Sequence, residues 1–133
     1  MKIRTFRLRP GSNLRSSIEK YVRENKFKAG IIISVIGGLK SIKLRMAGAT
    51  PAKQIIRHFK ENLEIVSAEG TISKDGGHIH ISVANKKGTV VGGHLKEGVV
   101  AFTAEISLIE LEDRRFLRQL DKETGFKELV IKY

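Results

Sequence analysis

The sequence contains no cysteine and no tryptophan. Without cysteine there is no disulfide, no thiolate metal ligand and no cysteine nucleophile. That fits a reducing compartment. Aromatics are few, six Phe and two Tyr, and most fall at positions that read as core. A platform for stacking single-stranded bases needs exposed aromatics, and the pattern offers none. Long apolar runs are also missing. The longest, residues 29–38, is too short to span a bilayer. The N-terminus alternates charged and apolar residues from Lys2 to Arg9, which is not the pattern of a secretory signal. These absences predict a cytoplasmic protein with no membrane partner. No P-loop, dinucleotide fingerprint or Ser-His-Asp arrangement is present.

What the chain has in plenty is positive charge. Its 133 residues carry a net charge of +11, with 41% hydrophobic residues. The length suits one domain spanning residues 1–133 with a real core. Residues 1–60 hold 15 Lys/Arg and two acids, whereas residues 61–133 hold 10 Lys/Arg and 12 acids. A polarised charge of this kind attracts phosphate backbones. It also exceeds the charge of about 2–8 that keeps a small domain soluble.

Hydrophobic periodicity predicts a mostly antiparallel sheet with one main amphipathic helix. Lys2 to Leu8 alternates as a strand, and Pro10-Gly11 breaks it. Ser12 or Asn13 caps a helix whose apolar face is Leu14, Ile18, Tyr21 and Val22. Ala29 to Ile36 reads as a buried strand, Gly37-Gly38 as a turn, and Leu39 to Met46 as a return strand with a basic face. One or two short helices are expected besides. Thr50-Pro51 opens one candidate, although Ile55-Ile56 also suits a strand, and Phe116, Leu117 and Leu120 suggest the other. Leu63 to Ile72, His78 to Ala84, Thr89 to Val91, Val99 to Leu111 and Leu129 to Tyr133 complete the strands.

Three of the four histidines cluster. In Gly77-His78-Ile79-His80-Ile81-Ser82-Val83, the histidines share one face of a strand and the isoleucines the other. At about 6.5–7 Å along the backbone, both rings reach one ion. A hairpin centred on Lys87 sets His94 opposite His80, and a slip of one residue would put it on the wrong face. Three neutral imidazoles suit zinc with one open position for water. The competing reading is a polar, solvated strand face. Glu105, inside an apolar strand, is the candidate acid or base beside such a metal. Its alternative is an outward-facing position on the sheet. His58 has no partner and reads as surface.

Arg7-Leu8-Arg9-Pro10 resembles the Arg-Gly-Arg-Pro core of an AT-hook, with Leu8 in place of the glycine. A leucine obstructs entry into a narrow minor groove, and this segment leads from a strand into a helix, so a structural turn is the better reading.

A wider set of motifs runs nearly end to end. It comprises Arg7-Leu8-Arg9-Pro10-Gly11-Ser12-Asn13-Leu14, Ile36-Gly37-Gly38-Leu39, and residues 63–72. Gly77-His78-Ile79-His80-Ile81-Ser82, Gly88-Thr89-Val90-Val91-Gly92-Gly93-His94-Leu95 and residues 121–129 follow. In this order they resemble the PPC domain, the plant and prokaryote conserved domain. The resemblance implies an α+β pseudo-barrel assembling as a homotrimer. It implies that His78, His80 and His94 match the cluster that can hold zinc in prokaryotic members. Plant members carry an AT-hook before the domain, which is missing here. Their Gly-Arg-Phe-Glu-Ile-Leu partner segment corresponds to Glu61-Asn62-Leu63-Glu64-Ile65-Val66, which loses the Gly-Arg start. A looser likeness of fold links the domain to acetolactate decarboxylase, a histidine-ligated zinc enzyme.

Two functions follow as expectations. In the first, the protein binds duplex DNA through phosphate contacts from Arg4, Arg7, Arg9, Lys40, Lys43 and Arg45, a regulatory role in prospect. In the second, it is a zinc-dependent enzyme acting on a small oxygenated substrate at the three histidines. A trimer whose metal only pins the hairpin is the plainest option.

Overall fold

Alternating apolar residues draw most of the chain into eight strands and one helix in the computed structural model, which describes residues 1–133. The elements run β1 (Lys2–Leu8), α1 (Leu14–Glu24), β2 (Gly30–Arg45), β3 (Ile56–Phe59) and β4 (Leu63–Ser73). They continue with β5 (Gly76–Ala84), β6 (Val90–Glu110), β7 (Arg115–Leu120) and β8 (Lys127–Lys132).

The six-stranded sheet has the order β1-β6-β5-β4-β2-β3, and β6 also pairs with β2. That extra pairing closes β2, β4, β5 and β6 into a four-stranded barrel, all antiparallel. Closure pairs each of these four strands on both sides, and β1 and β3 remain as the outer strands. The expected α+β pseudo-barrel is thus the observed one. The barrel interior and one face of α1 share a core of 20 buried residues. Ile79, Ile81 and Val83 enter it from β5, and Leu14, Ile18 and Val22 from α1.

The helix begins where the sequence places it. Asn13 Oδ1 accepts a hydrogen bond from the Ser16 amide at 3.2 Å, which satisfies one orphan donor of the first turn. It ends in a left-handed Lys26 (φ 58°), with Lys26 N–H bonded to Arg23 O and Phe27 N–H to Val22 O. These are the paired bonds of a Schellman motif, with lysine where glycine is usual. No helix is long and apolar enough to cross a membrane.

Three expectations are corrected. Gly37-Gly38 is not a hairpin turn, because β2 runs unbroken through it for 16 residues. The glycines serve a close approach instead. A Cβ on Gly37 (φ +147°) would lie 2.0 Å from Thr103 O on β6. The segments 89–91 and 99–111 are likewise one strand, the 21-residue β6. The additional short helices do not form. Ile56–Phe59 extends along β2, with Phe59 opposite Ile42. Arg115–Leu120 pairs with β8, and Phe116 is buried opposite Ile131. In β7 the burial of Phe116 outweighs a weak helical spacing, and in the largely exposed β3 the ladder to β2 and Phe59 against the core do so.

The segment Arg7 to Gly11 is tied down. Leu8 packs against the core, and the Gly11 amide donates to Val100 O at 2.8 Å. It is a turn into α1 and not a free minor-groove arm.

Candidate metal centre and its cationic surroundings

The turn at residues 85–88 fixes the register of β5 against β6. Asn85 Oδ1 accepts from the amides of Lys87 and Thr89, at 2.9 and 3.0 Å. His80 then stands directly opposite His94, with Ser82 opposite Gly92. Glycines let the neighbouring backbones approach. A Cβ at Gly70 would sit 2.2 Å from His78 O, and one at Gly93 would sit 2.8 Å from Arg45 O.

The result is a convergence of imidazoles. One donor atom from each of His78, His80 and His94 lies within 4.8 Å of the others. His78 Nε2 and His80 Nε2 are 3.1 Å apart. Ligand nitrogens around a tetrahedral ion bonded at 2.0–2.1 Å are separated by about 3.4 Å. Two of the three rings therefore already stand close to that spacing, and a nitrogen of the third lies within 4.8 Å of both. His80 is exposed, while His78 and His94 are half-buried.

The electrostatics favour metal-ready rings. Burial, then the Arg45 guanidinium, lowers the pKa of His94 to about 3. Burial, then His80, lowers that of His78. Both rings are neutral at physiological pH, the form that ligates a metal. The residues present fit a divalent ion of the zinc class, held by three nitrogens with an open position. Such an ion would supply Lewis acidity or pin the β5–β6 hairpin.

A cleft of about 280 Å³ opens beside His78 and His94, and it is strongly basic. Arg15 from α1, Arg45 from β2, Lys96 from β6, Arg118 from β7 and Lys127 from β8 all line it. Arg15 is fully engaged. It donates to Glu19 at 3.0 Å, to Leu95 O at 3.1 Å and to Gly77 O at 3.4 Å. Arg45 lies over the Phe126 ring, 5.0 Å from its centroid. Arg118 donates to Thr71 Oγ1 at 2.7 Å. Burial lowers the pKa of Arg118, and burial followed by Arg15 lowers that of Lys96.

The other expected site residues are scattered. Glu105 is exposed on the far stretch of β6, in register with Arg7 and Ile36, and does not line the cleft. The carboxylates that do are Asp75 and Glu128. Glu69, opposite His80 on β4, lines a second hollow with His78 and His80. Arg4 is paired with Glu110 at 3.2 Å and Lys43 with Glu97 at 3.7 Å. Arg7 donates to Thr103 Oγ1 at 2.8 Å and to Phe102 O at 3.2 Å. Arg9 and Lys40 are exposed. His58 is exposed opposite Lys43.

A different basic concavity escaped the sequence reading. Arg23, Lys26, Lys28, Lys74 and Arg115 line it around Phe27, with no carboxylate among the lining residues. It assembles from the end of α1 and the loop after it, the β4–β5 turn and β7; Arg23, Lys26 and Lys28 are near in sequence, and Lys74 and Arg115 join them only on folding. Large apolar side chains on β2, β4 and β6 are also exposed. Ile33, Ile36, Val66 and Phe102 are 45%, 62%, 57% and 82% exposed.

The model of the Plants and Prokaryotes Conserved (PCC) domain matches residues 1–112. Among curated proteins, the bifunctional protein GlmU of Synechococcus sp. (strain JA-2-3B'a(2-13)) is 38% identical over 132 residues. That alignment covers 98% of this chain and 20% of GlmU, so the chain spans about a fifth of the curated relatives it matches. The metal-containing protein of Archaeoglobus fulgidus has a similar structure, with TM-score 0.87 and 30% identity over 98% of this chain and 94% of that one. The plant- and prokaryote-conserved protein of Pyrococcus horikoshii gives TM-score 0.86 and 29% identity over 100% and 94%.

Proposed function

We propose that this chain, which belongs to the Plants and Prokaryotes Conserved domain family, is a homotrimeric DNA-binding protein that grips duplex phosphates without reading bases. The observation that carries this reading is the acid-free concavity of Arg23, Lys26, Lys28, Lys74 and Arg115. None of these five cations takes part in an ion pair. All five are exposed. Unpaired, exposed cations are the groups a phosphate backbone displaces counterions to reach. Arg7, Arg9 and Lys40 add reach. Arg4, Lys43 and Arg45 contribute less, because Glu110, Glu97 and Phe126 already hold them.

Trimerisation is supported by the exposed apolar side chains of Ile33, Ile36, Val66 and Phe102. Large exposed apolar patches on small domains mark interfaces. A trimer presents three cationic concavities, and simultaneous contacts raise avidity. The three histidines hold a metal of the zinc class in this reading, with the family relative from Archaeoglobus fulgidus described as metal-containing.

The test is fluorescence anisotropy of a labelled duplex across a salt series. Each phosphate contact contributes about −0.9 to the slope of log K against log salt, so five contacts give about −4.5 per engaged protomer. Replacing Lys26 and Lys74 by Gln reduces the magnitude of that slope by about 1.8. Absence of duplex binding at low salt, or an unchanged slope in the double variant, overturns the reading.

A further inference from the structure

The cleft beside His78 and His94 has the opposite character from the DNA-facing concavity. Four of its five cations are recessed, and Lys127 alone is exposed. Arg15, Arg45, Lys96 and Arg118 are all partly buried, whereas the five cations of the DNA face are all exposed. Like charges held together away from water repel one another and lose hydration, and that cost persists only where something offsets it.

Ion pairs offset little of it. Of the five lining cations, only Arg15 has a carboxylate partner, Glu19 at 3.0 Å. Arg45, Lys96, Arg118 and Lys127 have none within ion-pair distance. The two lining carboxylates hydrogen-bond to other groups, although Glu128 still acts on Arg118 through space. Asp75 Oδ2 accepts from the Arg118 main-chain amide at 3.4 Å, and Glu128 Oε1 from the Thr124 hydroxyl at 3.0 Å.

We infer that this cleft binds a small dianionic oxyanion, and that the phosphate group of a phosphate monoester meets its chemistry best. Five cations against two carboxylates leave a strong positive excess facing a space of about 280 Å³. That is close to the lower limit of small-molecule clefts, about 300 Å³. Arg45 and Arg118 supply planar guanidinium forks suited to oxyanions, and Lys96 supplies a further point charge in the lining. Stacking on Phe126 holds the Arg45 fork in place before any ligand arrives. A duplex backbone meets exposed side chains. A small ligand enters and desolvates recessed ones.

The experiment is calorimetric titration of the metal-free full chain, so that the readout does not depend on a bound ion. Inorganic phosphate and malonate are the two probes. Arg45→Gln and Arg118→Gln are the test variants, and Lys60→Gln, exposed and outside both the cleft and the DNA-facing concavity, is the control. The expected result is saturable binding that weakens about tenfold in each test variant, the scale of one lost charge-assisted hydrogen bond. The control binds as the parent does. Tighter binding of phosphate assigns a phosphate ester as the source of the anion, and tighter binding of malonate assigns a carboxylate. If neither probe binds at 10-millimolar scale, or both test variants bind undiminished, the inference is wrong. It is equally wrong if Arg45→Gln and Arg118→Gln weaken duplex binding as much as they weaken phosphate binding, since the cleft would then belong to the DNA face.

Discussion

Stripping the protein with a chelator and returning zinc should raise its unfolding temperature, and His80→Ala should abolish the rise. The magnitude follows from linkage. A metal that binds only the folded chain stabilises it by about 2.7 kcal/mol when free metal is a hundredfold above Kd. A domain of this size gains about 3–5 °C per kcal/mol. The expected shift is therefore about 8–13 °C. Geometry places the estimate toward full effect. His78 and His80 nitrogens already stand 3.1 Å apart, so little side-chain freedom remains to be lost. Protons do not compete at His94, whose pKa is lowered to about 3. His80 is the residue to replace because it is exposed and its removal opens no core cavity. Thermal unfolding followed by circular dichroism across a zinc series, with parallel metal analysis of the dialysed protein, reads the result. No concentration-dependent rise in the parent, or a full rise in His80→Ala, refutes the three-histidine site.

Three further outcomes are expected. Gly37→Ala should cost about 3 kcal/mol in urea unfolding, since its Cβ would meet Thr103 O at 2.0 Å in a backbone conformation with φ +147°; a loss below 1 kcal/mol at that order would show that β2 and β6 can separate there freely. The metal-free protein should lose stability as the pH falls from 6.5 toward about 3, because the unfolded chain protonates His94 there while the folded chain does not. His94→Asn should flatten that fall in melting temperature, and an equally steep fall would assign it to other groups. Phe102→Asp should convert the proposed trimer to monomers in light scattering, its ring being 82% exposed; an unchanged mass overturns Phe102 as an interface residue.

The histidine centre was legible in the sequence because strands obey a period of two and a four-residue turn fixes the partner. Once Asn85 to Gly88 is read as the turn, His80 must face His94. The helix was legible for a similar local reason, since Asn13 and the spacing of Leu14, Ile18 and Val22 are adjacent in the chain. The misreadings share the opposite property. Gly37-Gly38 looks like a turn until β6 is placed 2.0 Å from a would-be Cβ, and that neighbour lies far along the chain. Phe116, Leu117 and Leu120 suit a helix until Phe126 to Ile131 returns beside them. The charge was counted correctly and assigned less well. Glu110 and Glu97 reach Arg4 and Lys43 only across strands, whereas Arg23, Lys74 and Arg115 meet only in the folded chain. Arg15, Lys96 and Arg118 gave no local sign that they share a cleft with two histidines.

The small β7–β8 sheet forms a ladder of its own, separate from that of the barrel. It touches the rest through a few links, among them the Phe116 amide to Lys28 O and Arg118 to Thr71. β6, by contrast, is laddered to β1, β2 and β5 at once. Amide protons on β6 should therefore exchange with solvent only when the whole molecule opens, while those on β7 and β8 exchange through a cheaper local detachment. That detachment carries Arg118, Phe126 and Glu128 away and leaves the imidazoles standing, so the two halves of the centre have separate lifetimes.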